Sequence, residues 1–251
     1  MADDDETTQN PFARPGFIVG AVVVAALIVA GIFLTVLNLN RGSEAAPPAS
    51  EPSSSATSSA APSPSASGVA GGASVCGLDG EVLSGTVTTA PAATWQYQDV
   101  YAYPTSPTFG PGATAPQGYR YCYQHSPDGA VFAAANMTIG LFGDVTTRTS
   151  LLEYALTNGT YRDSLLTEVG SSNTTDVRAS IAGFRVLSYD GSSARVDVAF
   201  RGTAQGQAVN GSAVLDLTWW QGDWKIDADK AEPFRIAQLP DTSGYITWRQ
   251  E

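Results

Sequence analysis

The predicted fold is decided by the stretch Trp219-Trp220-Gln221-Gly222-Asp223-Trp224-Lys225-Ile226, which places a turn between two strands. Gln221-Gly222-Asp223 consists of turn-forming residues, and the residues after it alternate between apolar and polar. The segment before the turn alternates in the same way, with its apolar members at Ala213, Leu215, Leu217 and Trp219. Because successive strand side chains point to opposite faces, this pattern predicts an antiparallel hairpin with one apolar face.

Two more strands are predicted upstream of this hairpin. One contains Phe184, Val186 and Leu187 and ends at Asp190-Gly191, a hairpin signal. In the next strand apolar residues alternate with polar ones. The apolar residues are Val196, Val198 and Phe200, and the polar ones are Arg195, Asp197 and Arg201. We expect an antiparallel meander whose apolar face is covered by helices. Asp197 and Asp216 are the carboxylates on its polar face, so we expect both to be solvated.

Three helices are predicted ahead of the strands. The first begins at Ser126-Pro127-Asp128, where Ser suits the N-cap, Pro the first position and Asp the first turn. The second is predicted over Thr149 to Leu156. The third is predicted over Tyr161 to Val169, with Thr160 as N-cap and Gly170 just past its end. Helices followed by a meander predict an α+β domain, with helices packed on a curved antiparallel sheet.

The region before the first helix is expected to wrap around the core. Trp95 to Tyr101 alternates and predicts an edge strand, and Pro104 to Gly118 is typical of an ordered loop. Cys76 and Cys122 are the only two cysteines, so a single intrachain disulfide can form. Such a disulfide stabilises by roughly 4 kcal/mol in the chain-entropy model. The alternative is two unpaired or intermolecular thiols.

The chain upstream of this domain predicts a membrane anchor. Residues 1–16 are polar, residues 17–39 are almost entirely apolar, and residues 40–75 are dominated by Ser, Ala, Pro and Gly. An apolar run of about 20 residues spans the lipid hydrocarbon core, whereas a signal peptide has an apolar region of about 7–15 residues. We therefore expect a cytoplasmic tail (1–16), an uncleaved transmembrane helix in the bilayer (17–39), a disordered linker (40–75) and a folded domain (76–251).

The orientation of the anchor is inferred from the residues that follow it. Arg14 and Arg41 flank the apolar segment equally, so the positive-inside rule gives no direction. No Lys or Arg occurs between Arg41 and Arg120, as suits a translocated stretch. Both cysteines lie in the C-terminal domain, where an oxidising compartment lets them pair. We therefore expect a single-pass protein of the cell membrane, with its N-terminus cytoplasmic and its C-terminal domain extracytoplasmic.

Composition argues against nucleic acid as a partner. The formal net charge is −11, and Lys225 and Lys230 are the only lysines. Binding of phosphate backbones requires clustered Lys and Arg. The sequence also contains no Gly-x-Ser-x-Gly nucleophile motif and no Gly-rich phosphate loop. We therefore predict no catalytic residues, no cofactor and no metal site.

Aromatic residues supply the candidates for a ligand site. Trp95, Trp219, Trp220 and Trp224 could line a groove for a hydrophobic or glycan ligand, although large aromatics more often form core. His125, the single histidine, is a fifth candidate for this groove, and it lacks the partners of a catalytic dyad. Four Asn-x-Ser/Thr sequences are interpreted as coincidental rather than as glycan acceptors, and they begin at Asn136, Asn158, Asn173 and Asn210.

Two resemblances follow from these residues. The helices, the meander and its Gly222-Asp223-Trp224-Lys225-Ile226 ending resemble the nuclear-transport-factor-2-like (NTF2-like) fold. With an N-terminal anchor, this combination resembles the VirB8-like and TcpC-like subunits of conjugative secretion channels. The chain also resembles an actinobacterial family of membrane-anchored proteins found with integrative or conjugative elements. The residues that carry this second resemblance are Pro11 to Gly16, Cys76-Gly77-Leu78, Cys122 to Ala130 and Ile181 to Val186.

These resemblances imply a fold and a setting but transfer no catalytic or binding residues. The first hypothesis is a membrane-anchored extracytoplasmic interaction or scaffold domain, a component of a conjugation-like secretion complex. Its expected partners are other envelope proteins or further copies of the chain. The alternative is an extracytoplasmic module that binds a small ligand in a pocket between helices and sheet. An isomerase-like or hydrolase-like enzyme is the least supported, because no group of residues suits it.

Overall fold

The computed structural model describes residues 74–170, 177–204 and 207–250. The predicted tail (1–16), transmembrane helix (17–39) and nearly all of the predicted linker (40–75) lie outside these residues. None of the helices within the described ranges is long and apolar enough to cross a membrane.

The described residues form three helices and ten strands. The helices are α1 (Pro127–Phe142), α2 (Val145–Ala155) and α3 (Arg162–Gly170). The strands are β1 (Thr94–Gln98), β2 (Tyr101–Thr105), β3 (Ala113–Thr114), β4 (Arg120–Tyr121), β5 (Val177–Tyr189), β6 (Ser193–Ala204), β7 (Gln207–Trp220), β8 (Asp223–Ile226), β9 (Phe234–Gln238) and β10 (Ile246–Thr247). The expected mixture of helices and a large antiparallel sheet is therefore confirmed.

The main sheet has six strands and is antiparallel throughout. Its order is β10-β5-β6-β7-β8, and β9 pairs with β7 beside β8. The predicted meander forms its centre, in β5 to β8. β5 and β6 are joined at Asp190, whose carboxylate accepts from the backbone of Ser192 and Ser193 at 2.9 and 2.7 Å. β9 and β10 were not predicted from the sequence.

Helix α1 lies in the centre of the domain. Ser126 caps it as predicted, because its hydroxyl accepts from the Gly129 N–H at 3.0 Å. All of its 16 residues except Asp128 are buried. The sequence predicted one apolar face, but α1 contacts β5 and β6 on one side and β2 of the N-terminal segment on another. A helix enclosed by two layers is buried all round, and its many alanines allow that close packing.

The boundaries of three other elements differ from their predictions. Helix α3 begins at Arg162 rather than Tyr161 and includes Gly170, which the sequence places just past its end. Helix α2 begins at Val145 rather than Thr149, because Asp144 accepts from the N–H groups of Thr146 and Thr147 and acts as N-cap. The segment from Trp95 to Tyr101 is not one strand. It contains the turn between β1 and β2, where Asp99 has φ 53°.

The two carboxylates on the polar face of the sheet are covered, contrary to expectation. Asp197 is 2% exposed and Asp216 is 8% exposed, so the prediction that both are solvated is wrong. The residues that follow β8 return across this face. Among these residues, the Tyr245 hydroxyl donates to Asp197 Oδ2 at 2.7 Å, and Lys230 Nζ lies 3.0 Å from Asp216 Oδ1. The C-terminal segment therefore acts as a second cover for the sheet.

A disulfide links Cys76 to Cys122 and closes the N-terminal segment onto the core. The Cα atoms are 5.9 Å apart, within the usual range. This pairing confirms the intrachain prediction over the alternative of free thiols. Val75 N–H also donates to the Gly222 carbonyl at 2.7 Å, so the segment reaches the β7–β8 turn.

Candidate functional site

A buried carboxylate lies where the N-terminal segment, close to Cys122, meets the β7–β8 hairpin. Asp223 is 0% exposed, and its two oxygens accept four hydrogen bonds. The N–H groups of Cys122, Tyr123 and Trp224 donate at 2.9, 2.9 and 3.0 Å, and the Tyr154 hydroxyl donates at 2.7 Å. The ionised carboxylate accepts from all four of these donors at once. Asp223 therefore joins the β7–β8 hairpin, helix α2 and the N-terminal segment at one point.

The local backbone places this carboxylate inside the domain. Gln221 and Gly222 both have positive φ, 53° and 77°, as required by the primed turns that suit antiparallel hairpins. The turn leaves Asp223 as the first residue of β8, all four residues of which are buried. Cys122 also has positive φ, 70°, a costly value for a non-glycine residue. The hydrogen bonds from Cys122 and Tyr123 to Asp223 hold the backbone in that conformation.

Lys225 lies two residues further along β8 and is 3% exposed. Its ammonium donates to the Tyr154 carbonyl at 3.1 Å and lies 2.9 Å from the centre of the Tyr154 ring. Tyr119 and Tyr121 contact the same ring, each with a centroid distance of 5.2 Å. The lysine is thus held beneath a cluster of three partly exposed tyrosines. Its position and hydrogen bond indicate a structural role.

Burial shifts the pKa values of this group towards the uncharged forms. Desolvation lowers the pKa of Lys225 to about 8, although the Asp223 charge opposes the shift. Desolvation also raises the pKa of Asp223, against the opposing effects of Lys225, the Tyr154 hydroxyl and the two backbone donors. The pKa of Tyr154 is raised by burial and by the neighbouring Asp223 carboxylate.

The depressed pKa of Lys225 predicts a pH-dependent stability. Between about pH 8 and pH 10.5 the unfolded chain binds a proton at Lys225 that the folded chain has released. The contribution of Lys225 to the free energy of unfolding should therefore rise with pH across this window, by up to about 3 kcal/mol. Above about pH 10, ionisation of tyrosines in the unfolded chain works in the opposite direction. The measurement is chemical denaturation at intervals from pH 7 to pH 10.

Lys225→Met is the variant that isolates this contribution, because Met is also unbranched, is one atom shorter and has no charge. Its stability should not rise between pH 8 and pH 10. Lys230→Met is the matched control, since the Lys230 side chain is 51% exposed, and it should keep the rise. An equal rise in the wild type and in Lys225→Met contradicts this prediction.

Three of the five predicted groove residues come together in the interior. His125 is 1% exposed and stacks on Trp219 at 4.0 Å, with Trp224 edge-on at 5.7 Å. Its Nδ1 lies 2.6 Å from Glu81 Oε1 and its Nε2 lies 2.5 Å from the Gly191 carbonyl oxygen. The histidine thus connects the N-terminal segment to the β5–β6 hairpin. A ligand could reach these three rings only by displacing packed side chains.

The other two predicted groove residues lie apart from this cluster. Trp95 packs against Trp248, with ring centroids 5.6 Å apart. Trp220 is half-buried and points to the face opposite Trp219, because neighbouring strand residues alternate. The five candidates therefore do not form one groove.

Open grooves lie on both faces of the β1–β2 hairpin. One has a volume of about 640 Å³ and is lined by Pro91, Trp95 and Trp248 among others. The second has a volume of about 440 Å³ and is lined by Gln96, Tyr103 and neighbouring Pro, Gly and Thr residues. Within the described part of the chain, β1 pairs only with β2, so its outer edge has no strand partner.

A second buried carboxylate lies on the outer face of the sheet. Asp197 Oδ2 accepts from Arg185 at 2.5 Å and from the Tyr245 hydroxyl at 2.7 Å. The Arg185 guanidinium also lies 4.1 Å from the centre of the Tyr245 ring. The sequence places Arg185 and Asp197 on neighbouring strands, but it gives no signal that Tyr245 returns to cover them.

The sequence also gave no indication that Asp223, Lys225 and Tyr154 form a cluster. The one available signal is that Asp223 and Lys225 alternate with Trp224 and Ile226 in a strand that follows a turn directly. That alternation suggests an exposed charged face, whereas both faces of β8 are buried. Across the described residues, no group of three His, Cys, Asp or Glu side chains is arranged to hold a metal ion.

Fold and site together define an α+β domain with a large antiparallel sheet, tied to its N-terminal segment by a disulfide and a buried carboxylate. The chain belongs to the family described as Domain of unknown function (DUF8175), whose model matches residues 53–247. This match covers all of the described helices and strands and begins inside the predicted linker. Neither the curated proteins nor the solved structures contain a match to this chain.

Proposed function

We propose that this chain is a membrane-anchored extracytoplasmic interaction domain, and that it binds another envelope protein along the free edge of β1. The observation that carries the proposal is the β1 edge itself, with an open groove on each face of its hairpin. An extended peptide that adds to a strand edge gains main-chain hydrogen bonds, and its alternate side chains enter pockets on the two faces.

The buried charged groups favour binding over catalysis. Asp223 is saturated by four donors, Lys225 is held under Tyr154, and His125 lies between Glu81 and Gly191. A general acid or base has to reach a substrate proton. These groups are buried, and their polar atoms are engaged in contacts that hold segments of the domain together.

The packing between helix α1 and the sheet favours an interaction domain over a small-ligand pocket. The space is occupied by fully buried large side chains, among them Phe132, Phe184, Leu215 and Trp224. Phe132 and Phe184 both make edge contacts with Trp248, at 4.9 and 5.4 Å. The two open grooves lie at the surface instead, beside β1.

The finer setting of this proposal comes from the sequence. The apolar run 17–39 anchors the chain in the cell membrane, and the linker 40–75 carries the domain outside the cytoplasm. The NTF2-like arrangement of helices before a meander supports membership of a conjugation-like secretion complex. The Cys76–Cys122 disulfide suits an oxidising compartment. Detection of both cysteines as free thiols in intact cells contradicts this placement.

The binding test compares Tyr97→Pro with Tyr97→Ala. Residues that flank a two-residue hairpin turn pair through hydrogen bonds, so Gln98 faces β2 and the Tyr97 N–H points to the open edge. Both variants remove a ring that is 60% exposed, but only proline removes the donor. We expect about tenfold lower recovery of the envelope partner with Tyr97→Pro than with Tyr97→Ala.

The experiment uses the full chain, expressed at its native level and extracted in mild detergent. Unfolding curves of both variants establish that each remains folded. Equal recovery of a partner with the two variants contradicts β1 as the binding edge. Recovery of the wild type without any partner contradicts the proposed function as a whole.

A further inference from the structure

We propose that strand β9 is a self-pairing edge through which two copies of this chain form a two-fold symmetric dimer. This surface is separate from the β1 edge. The dimer therefore goes beyond the proposed function and can stand or fail independently of it.

The hydrogen bonds of β9 to β7 show which of its backbone groups are free. Leu239 N–H donates to the Asn210 carbonyl at 2.9 Å, and Asp216 N–H donates to the Pro233 carbonyl at 2.7 Å. The register is unbroken from Gly211↔Gln238 to Leu215↔Phe234. The backbone hydrogen-bonding groups of the odd-numbered residues of this segment therefore point towards β7. The N–H and C=O groups of the even-numbered residues therefore point away from the sheet.

The residues whose backbone groups point away from the sheet are Phe234, Ile236 and Gln238. Ile236 lies at the centre of the three. If a second copy pairs antiparallel about this residue, Ile236 lies opposite its own equivalent. Phe234 then lies opposite Gln238 in both directions. All three positions form hydrogen-bonded pairs, so this register satisfies all six outward-facing groups of each strand. A strand whose free groups match its own copy favours a symmetric dimer.

The side chains of β9 are compatible with this pairing. Ile236 is 54% exposed, and the symmetric register covers it with the equivalent isoleucine. Arg235 is the only charged residue of the strand; it lies opposite Ala237 of the second copy and is already paired with Glu232 of its own chain at 2.8 Å. Pro233 and Pro240 bound the segment and limit the pairing to it.

Apart from its charged Arg235 and its flanking prolines, the strand lacks the features that usually protect a sheet edge. Edges are commonly blunted by a lysine, by a bulge or by a covering segment. β9 contains no lysine, its register with β7 has no bulge, and four of its five residues are exposed. Within the described residues its second edge has no strand partner. A contact of this length is small, so we expect a dimer that dissociates readily.

Disulfide trapping between two single variants tests the register. Arg235 and Ala237 of the other copy form a non-hydrogen-bonded pair, whose Cα atoms lie about 4.5 Å apart. A mixture of Arg235→Cys and Ala237→Cys should therefore form a crosslinked heterodimer under mild oxidation. Each variant alone should crosslink much less, because two equivalent positions lie about 8 Å apart, beyond disulfide range. The native cysteines are paired with each other and leave no competing thiol.

The experiment uses the full chain over a series of protein concentrations, with the two variants carrying different tags. Addition of Ile236→Asp to both variants places like charges on the two-fold axis and should reduce the heterodimer to the level of the single variants. Crosslinking of the mixture no greater than that of either variant alone overturns the proposal. Crosslinking that persists with Ile236→Asp also overturns it.

Discussion

Asp223→Asn should lower the free energy of unfolding by about 3–5 kcal/mol, the range found when one partner of a buried ionic group is removed. The asparagine amide retains one oxygen acceptor but turns a donor towards groups that are themselves donors. At least two of the Cys122, Tyr123, Trp224 and Tyr154 donors then lack an acceptor inside the protein. The variant also removes the negative charge near the buried Lys225 ammonium.

Chemical denaturation followed by tryptophan fluorescence measures this effect, because Trp219 and Trp224 are both buried in the core. Asp79→Asn is the matched control. It makes the same change in an exposed residue of the N-terminal segment and should alter stability by less than about 0.5 kcal/mol. Tyr154→Phe removes one donor only and should cost about 1 kcal/mol. A loss below about 1 kcal/mol for Asp223→Asn contradicts the role assigned to the carboxylate.

The sequence predicted the elements whose signals are local. The alternation of Val196, Val198 and Phe200 with polar residues predicted β6, and each of these three side chains lies in the core. Ser126 and Pro127 predicted the start of α1 to the residue. Both signals depend only on neighbours along the chain, namely the two-residue period of a strand and the unpaired N–H groups of a helix end.

The elements that the sequence missed depend on contacts between distant residues. Alternation places Asp197 on the second face of the sheet but does not show what packs there, and Tyr245 lies 48 residues further along the chain. Asp223 likewise receives its backbone donors from residues 101 and 100 positions away. Neither strand periodicity nor turn chemistry contains this information. Asp197 and Asp223 both alternate with apolar residues along their strands, which is the pattern typical of exposed residues.

Removal of the Cys76–Cys122 disulfide should cost about 4 kcal/mol, because the bond closes a loop whose ends are 46 residues apart. Replacement of both cysteines by serine is the direct test. Stability is lost mainly because the unfolded chain has a higher conformational entropy without the closed loop. The folded chain retains the Cys122 N–H bond to Asp223, so the variant should keep its fold at low temperature.

The disulfide and Asp223 act on the same segment, so their effects should not add. Asp223 accepts from the N–H groups of Cys122 and Tyr123, and the disulfide is bonded to Cys122, so the loss of either one loosens, in the folded chain, the residues that the other holds. The variant with all three replacements should differ from the sum of the separate losses by more than about 0.5 kcal/mol. Treatment with reductant should destabilise the wild type as much as the double Ser variant and should leave that variant unchanged. Equal stability of the oxidised and reduced wild type contradicts a stabilising disulfide.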